Sequence, residues 1–213
     1  GEHSYSDHGT AITGAVTLGD GNYYLDGDVT GNIIVNGTVN LCLNGHTLSA
    51  SSGSVITVES GTLNLYDCSG TNAGKITGGD GENGGGILVS GNVLNMYGGT
   101  ITGNSVSGDG GGINVSADGR FTMHGGVISD NVTRGNGGGV YICHYNGSRA
   151  TFDMRGGKIA GNMSEIGGGG VHMNDADDSI FVSGGEITGN RGVYGGVYVT
   201  GGITSVGLQG AVK

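Results

Sequence analysis

Apolar residues occupy every second position in short runs along most of this chain. In the segment GGGILVSGNVLNMYGGTITGN, which covers residues 84–104, the apolar positions are Ile87, Val89, Leu94, Met96 and Ile101. A period of two is that of a β-strand, in which alternate side chains point to one face. No segment sustains a helical period bounded by capping residues, so the pattern predicts short strands and little helix.

The same pattern recurs along the chain. Full copies cover residues 110–131, 137–162 and 168–190, a partial copy begins at Gly195, and looser versions cover 32–45 and 54–70. The apolar residue after the glycines marks each copy, and in order these markers are Ile87, Ile113, Val140, Val171 and Val197. The steps between markers are 26, 27, 31 and 26 residues, and the longest step contains the inserted letters CHYNGSRA. Variable length at one place is typical of a loop on a repeating scaffold.

Strands this short cannot form a sheet within one copy, but stacked copies can pair them. Copies placed about 4.8 Å apart turn each run into one rung of a parallel ladder. The predicted fold class is all-β: a single-stranded, right-handed parallel β-helix (solenoid) with three short strands and about 26–31 residues per coil, forming three sheets around one core. The predicted inward columns are Ile87/Ile113/Val140/Val171/Val197, Leu94/Phe121/Phe152/Ile180, Met96/Met123/Met154/Val182 and Ile101/Ile128/Ile159/Ile187.

Glycine and asparagine recur between the runs. Paired glycines at 98–99, 125–126, 156–157 and 184–185 predict corners, where the backbone needs unusual φ angles and has little room for side chains. A further column contains Asn104, Asn131, Asn162 and Asn190. Stacked amides at a buried corner can form an asparagine ladder. Asparagine is also a good turn residue in its own right.

These repeats resemble a known group of parallel β-helix proteins. The elements GG-[AG]-[ILVY] and [FI]-x-x-N appear here as Gly85–Ile87 and Ile101–Asn104, and again in the next three copies. Both are similar to repeats of the polymorphic outer-membrane proteins of chlamydiae and of large repetitive surface proteins of Gram-positive gut bacteria. The resemblance covers about residues 31–205 and implies a right-handed β-helix of a secreted or cell-surface protein. It says little about function, because glycan-processing enzymes share this scaffold.

The ends of the chain fit the repeat less well. Residues 1–30 predict an N-terminal cap, because an uncovered ladder edge invites aggregation, and residues 31–213 form the predicted β-helix. The pattern weakens in TSVGLQGAVK, the last segment, without a second cap. We therefore expect a fragment of a longer protein, or a protomer whose end another domain covers.

Composition narrows the class of partner. Of 213 residues, 52 are Gly and none is Pro, which excludes collagen. A net charge of −10 disfavours nucleic acid and anionic membrane, and no apolar run is long enough for membrane insertion. The expected partner is a glycan or a host or cell-surface protein.

Two groups of residues are candidates for binding. Outward positions of the first strand carry Tyr141, His172 and Tyr198, with His144 in the adjoining loop, and rings stacked on successive coils can contact sugars. Exposed tyrosine is also simply a good strand residue. In the loop NDADDS, the carboxylates that could bind calcium, the one cofactor considered, are Asp175, Asp177 and Asp178. A solvated turn is the alternative for this loop.

The predicted function is a non-catalytic surface segment for adhesion or display, with the first-strand positions as a glycan-binding face. One alternative is a polysaccharide lyase or glycoside hydrolase that uses a His–Asp pair on the same face, and another is a purely structural stalk. Cys42 and Cys68 lie about one repeat apart, and either a disulfide or two thiols fits that spacing. Cys143 is expected to point outward beside His144.

Overall fold

The computed structural model describes residues 9–71, 73–144, 147–199, 206–208 and 211–212. Over these residues the chain is a parallel β-solenoid with three main strands per coil and no helix. None of the described segments has a helix that is long and apolar enough to cross a bilayer. The strands, in chain order, are β1 (Thr10–Ile12), β2 (Val16–Leu18), β3 (Gly21–Leu25), β4 (Val29–Thr30), β5 (Ile33–Cys42), β6 (Thr47–Ser49), β7 (Ile56–Tyr66), β8 (Lys75–Thr77), β9 (Ile87–Ser90), β10 (Val93–Met96), β11 (Thr100–Thr102), β12 (Ser105–Val106), β13 (Ile113–Ser116), β14 (Arg120–Met123), β15 (Val127–Ser129), β16 (Val132–Thr133), β17 (Val140–Ile142), β18 (Thr151–Met154), β19 (Lys158–Ala160), β20 (Met163–Ser164), β21 (Val171–Met173), β22 (Ser179–Val182), β23 (Glu186–Thr188), β24 (Val197–Val199), β25 (Val206–Leu208) and β26 (Ala211–Val212).

Equivalent strands of successive coils pair in parallel, and the four predicted inward columns are confirmed. In the first column, for example, Ile113 pairs with both Ile87 and Val140. The other three columns are equally in register. These side chains are buried in one continuous core, in which the rings of Phe121 and Phe152 stack with centroids 4.9 Å apart. Alternation along each strand therefore places apolar groups inside and polar groups outside.

The strands belong to three sheets, although not to the three that the pattern predicts. The first and second strands of each coil lie in one large sheet, because β5 and β7 run through both positions without a break. These strands bend instead of ending, and Gly61 in β7 has a φ of 88° that favours glycine. The third strands form a second sheet, and β12, β16 and β20 form a small third one.

The parallel ladder begins upstream of the predicted boundary at residue 31. Strands β2 and β3 pair in parallel with β5, and β4 pairs with β6, so residues 16–30 already form a coil. At the other end, β25 pairs with β22 and β26 with β23. Residues 1–8, part of the predicted cap, lie outside the described residues.

The glycine corners are confirmed. Gly99, Gly126, Gly157 and Gly185 have φ between 83° and 85°, which a side chain rarely tolerates. A Cβ on Gly126 would lie 2.6 Å from the Met96 methyl carbon and 2.7 Å from the Gly99 carbonyl oxygen. Glycine at this corner therefore provides both the backbone conformation and the space.

The corner ladder, formed by Asn104, Asn131, Asn162 and Asn190, is confirmed as well. The side-chain amide nitrogens of Asn104, Asn131 and Asn162 each donate to the side-chain oxygen of the asparagine on the next coil, at 2.9 Å in every case. The Asn104 oxygen accepts the N–H of Gly79 at 3.0 Å, which extends the ladder by one more coil. Asn131 is fully buried, so its amide needs these partners.

Candidate functional site

The first-strand face, made of Asn114, Tyr141, His172 and Tyr198, has the predicted register. Tyr141 pairs with His172, and His172 with Tyr198, on neighbouring coils. Their ring centroids are 5.6 Å and 4.8 Å apart, and the rings are tilted by 51° and 49°. Parallel pairing thus brings the three predicted rings together.

The prediction that these rings form an exposed contact surface is wrong for Tyr141 and His172. Their exposed fractions are only 6% and 3%. The glycine-rich segment that precedes each strand packs against the outer face, where a Cβ on Gly137 would lie 2.8 Å from the Cβ of Tyr141. The glycines before each first strand, which served only to mark the repeat in the sequence, let the chain cover the outer side of its own strand, and the alternating pattern does not predict this.

His172 is held inside this cover. Its Nδ1 accepts the N–H of Gly168 at 3.1 Å, while its Nε2 is buried without a hydrogen-bond partner among the described residues. Burial lowers the pKa of the imidazole, and the charge of Asp109 and the nearby Asn174 side chain oppose part of that shift. The neutral form is therefore favoured in the folded protein.

The acidic loop lies at the end of the same strand row. His144 Nδ1 is 3.4 Å from Asp175 Oδ2, and an Arg149 nitrogen is 3.9 Å from Asp177 Oδ1. Asp178 is 1% exposed, and its Oδ1 accepts the N–H of Ala150 at 2.8 Å. The structure therefore pairs His144 with Asp175 and places Asp178 under the loop as a backbone acceptor.

Burial raises the pKa of the Asp178 carboxyl; the Ala150 hydrogen bond and His144 oppose this shift, while Asp175 and Asp177 add to it. In the described part of the chain, no three His, Cys, Asp or Glu side chains are placed to share a metal ion. The predicted binding of calcium by Asp175, Asp177 and Asp178 stays a prediction.

A partly exposed row of stacked rings lies instead on the second-strand face. This face consists of the outward residues at the second-strand position of successive coils, in β3, the later parts of β5 and β7, and β10, β14 and β18. It also includes the residue directly after the last inward residue of each of these strands. The Tyr–His stack on it contains Tyr66, Tyr97 and His124, with centroids 4.7 Å and 4.5 Å apart and planes within 4° of parallel. Tyr97 is 42% exposed although a ring covers each of its faces, so its edge faces solvent.

A second column of amides runs beside the Tyr–His stack. We call it the outer ladder, and its members are Asn22, Asn40, Asn64 and Asn95. Each amide nitrogen from Asn40 onward donates to the preceding side-chain oxygen at 2.8–2.9 Å. Tyr97 directly follows β10 and lies two residues after Asn95, so the two columns are neighbours on the same face, roughly 7 Å apart.

The outer ladder ends where the face becomes charged. Thr122 and Asp153 occupy the next positions in register after Asn95. The Arg155 guanidinium donates to Asp153 Oδ2 from Nε at 2.7 Å, next to the end of the Tyr–His stack. The second-strand face therefore has an uncharged part and an ion-paired part.

A covalent link and a carboxylate hold the start of this face. Cys42 and Cys68 form a disulfide with their Cα atoms 5.9 Å apart, and Cys42 pairs in register with Tyr66. Asp67 accepts backbone N–H groups from Gly45 and Gly74, each at 2.8 Å. Burial alone would raise the pKa of Asp67, but hydrogen bonds from Gly74, Ser69 and Gly45 lower it overall.

The sequence places Tyr97, His124, Arg155 and Ser183 at one outward position of the second strand, but these residues share no chemistry, so the second-strand face was not predicted as a site, although a signal is present. The motifs LNLY (63–66) and LNMY (94–97) repeat an outward Asn followed two residues later by an outward Tyr. The next copies read FTMH and FDMR, which obscures the shared position.

Cys143, expected to point outward, is buried.

Comparison with known proteins identifies no relative: no family model, no curated protein and no solved structure matches this chain.

Proposed function

We propose that this chain is a non-catalytic segment of a secreted or cell-surface protein, that it serves adhesion or display, and that its second-strand face binds glycans. The observation that carries this proposal is the partly exposed Tyr–His stack beside the outer ladder, in which Tyr97 is the most exposed ring. Aromatic rings next to amide groups supply both the apolar contact and the hydrogen bonds that sugars need.

Two further features support the proposal. The Cys42–Cys68 disulfide suits an oxidising location outside the cytosol. The shared core and the continuous parallel sheets make the second-strand face rigid, so little ordering free energy is lost when a ligand binds.

The test is glycan-array binding by the wild-type chain and two variants. Tyr97→Ala removes the central ring of the stack and should weaken glycan binding about fivefold, because each aromatic contact contributes roughly 1 kcal/mol. Tyr194→Ala is the matched control, because Tyr194 is a 55% exposed tyrosine beside the first-strand face. We expect this control to bind as the wild type does.

Thermal unfolding of both variants establishes that each remains folded. Glycan binding lost in Tyr194→Ala but kept in Tyr97→Ala would transfer the site to the first-strand face. Absence of binding to any glycan would contradict the proposal and favour a structural stalk.

A further inference from the structure

The outer ladder leaves a regular set of hydrogen-bonding groups unused. An asparagine amide has two N–H donors and a carbonyl oxygen with two lone pairs. In Asn40 and Asn64, one N–H donates to the preceding coil and one lone pair accepts from the next. Both residues are only partly buried, and the remaining N–H and lone pair of each amide have no hydrogen-bond partner among the described residues.

These unused groups repeat along the solenoid axis. Successive coils place them about 4.8 Å apart, the spacing of paired strands. A single sugar meets only one or two such amides, whereas a chain of sugars laid along the axis presents hydroxyl groups to each amide in turn. Each hydroxyl both donates and accepts, which matches one N–H and one lone pair per coil.

The Tyr–His stack forms one side of this track. Its ring edges run parallel to the outer ladder over the coils of Tyr66, Tyr97 and His124. The rings and the amides share the coils of Asn64 and Asn95, so a chain lying on the amides contacts the ring edges of Tyr66 and Tyr97 there.

The charge distribution selects the class of ligand. The amides of the outer ladder are uncharged, and the protein carries a net charge of −10, which repels polyanions. Two guanidinium groups lie on this face beyond the ladder: that of Arg155 is paired with Asp153, and that of the exposed Arg120 lies one coil beyond Asn95. An acidic polysaccharide thus gains no ion pair from the amides themselves and, among the described residues of this face, has only Arg120 to pair with at the end of the ladder.

We infer that the ligand of this face is an uncharged, extended polysaccharide that lies parallel to the solenoid axis along the outer ladder. This inference rests on the proposed function and adds the chemical class, the orientation and the amides that bind the ligand.

The experiment is isothermal titration calorimetry with soluble neutral oligosaccharides of β-linked glucose, xylose, mannose and galactose, from disaccharide to octasaccharide. Oligogalacturonates of the same lengths serve as the anionic probes. For at least one neutral series we expect affinity to rise with chain length, and we expect every anionic probe to bind at least about tenfold more weakly.

Asn64→Thr tests the ladder, because Thr122 occupies the equivalent position two coils later and the substitution suits the strand. It should weaken binding of the longest neutral chains about tenfold and barely affect disaccharides. Asn174→Ala, an exposed asparagine outside this face, is the control and should bind like the wild type.

The outcomes separate the inference from the proposed function. Binding that depends on Tyr97 but not on chain length or Asn64 overturns the inference and leaves the proposed function standing. Stronger binding of oligogalacturonate overturns the uncharged class. If no probe binds and the glycan array is also negative, both fail.

Discussion

At the scale of single residues, the most constrained side chain outside the apolar core is His172. It lies between Tyr141 and Tyr198 and accepts a hydrogen bond from Gly168, so protonation of Nδ1 would remove that acceptor. Because burial lowers its pKa, the folded protein binds fewer protons than the unfolded chain below about pH 6.5. This contribution to stability is therefore complete above about pH 6.5 and is lost as the pH falls through the lowered pKa.

We predict that His172→Phe unfolds with a weaker dependence on pH than the wild type. Melting temperatures measured from pH 7 to pH 5 should fall less steeply in this variant, while Tyr198→Phe, which alters the same stack without removing the titrating group, should retain the wild-type slope. The raised pKa of Asp178 has the opposite effect, because it makes the folded protein gain stability as the pH falls further. Both proteins contain Asp178, so comparing their melting temperatures at each pH isolates the contribution of His172. Equal slopes in wild type and His172→Phe would contradict the prediction.

At the scale of elements, two asparagine ladders of similar geometry differ in burial. The corner ladder is enclosed, with Asn131 bonded to Asn104, Asn162 and the carbonyl of Ile101. The outer ladder is half-exposed, so water replaces any partner that is removed. The same substitution should therefore have very different costs in the two ladders.

We predict that Asn131→Ala lowers the free energy of unfolding by about 2–4 kcal/mol, because it leaves the amides of Asn104 and Asn162 buried and short of partners. Asn64→Ala should cost less than about 1 kcal/mol. Urea denaturation measures both values. A similar loss in the two variants would show that burial does not govern the strength of these ladders.

The repeat predicted the strands and their register well, but it did not predict which outward side chains other segments of the chain cover. Ile101, Ile128 and Ile159 fall in one buried column because a period of two and a constant repeat length determine both facing and register. Tyr141 and His172 alternate in the same manner, yet their exposure depends on where Gly137 and Gly168 pass in space. That path is a tertiary property, and no local pattern records it.

At the scale of the whole molecule, each coil contacts only its neighbours, so stability is close to a sum of coil and interface contributions. The Cys42–Cys68 disulfide spans 26 residues, and closing a loop of that length stabilises the folded state by roughly 3 kcal/mol. The effect should remain local, because distant coils share no contact with the link.

We predict that Cys42→Ser with Cys68→Ser accelerates amide hydrogen exchange in β5 to β8 and leaves β17 to β22 near wild-type rates. Mass spectrometry of exchanged peptides resolves the two regions. Cys143→Ser is the matched control, because it replaces a buried thiol in the coil of β17 and leaves the Cys42–Cys68 disulfide intact. Uniformly faster exchange along the chain in the double variant would show that the solenoid unfolds as one cooperative unit.

The coil that begins at β17 shows how this architecture accommodates change. The connection from β17 to β18 covers residues 143–150, whereas the one from β13 to β14 covers only 117–119, yet Phe152 still pairs with Phe121 and Met154 with Met123. The longer connection therefore leaves the register of the next strand unchanged. The corner is thus a natural grafting point, where an epitope or a short foreign sequence can be presented while the interior is inherited unaltered.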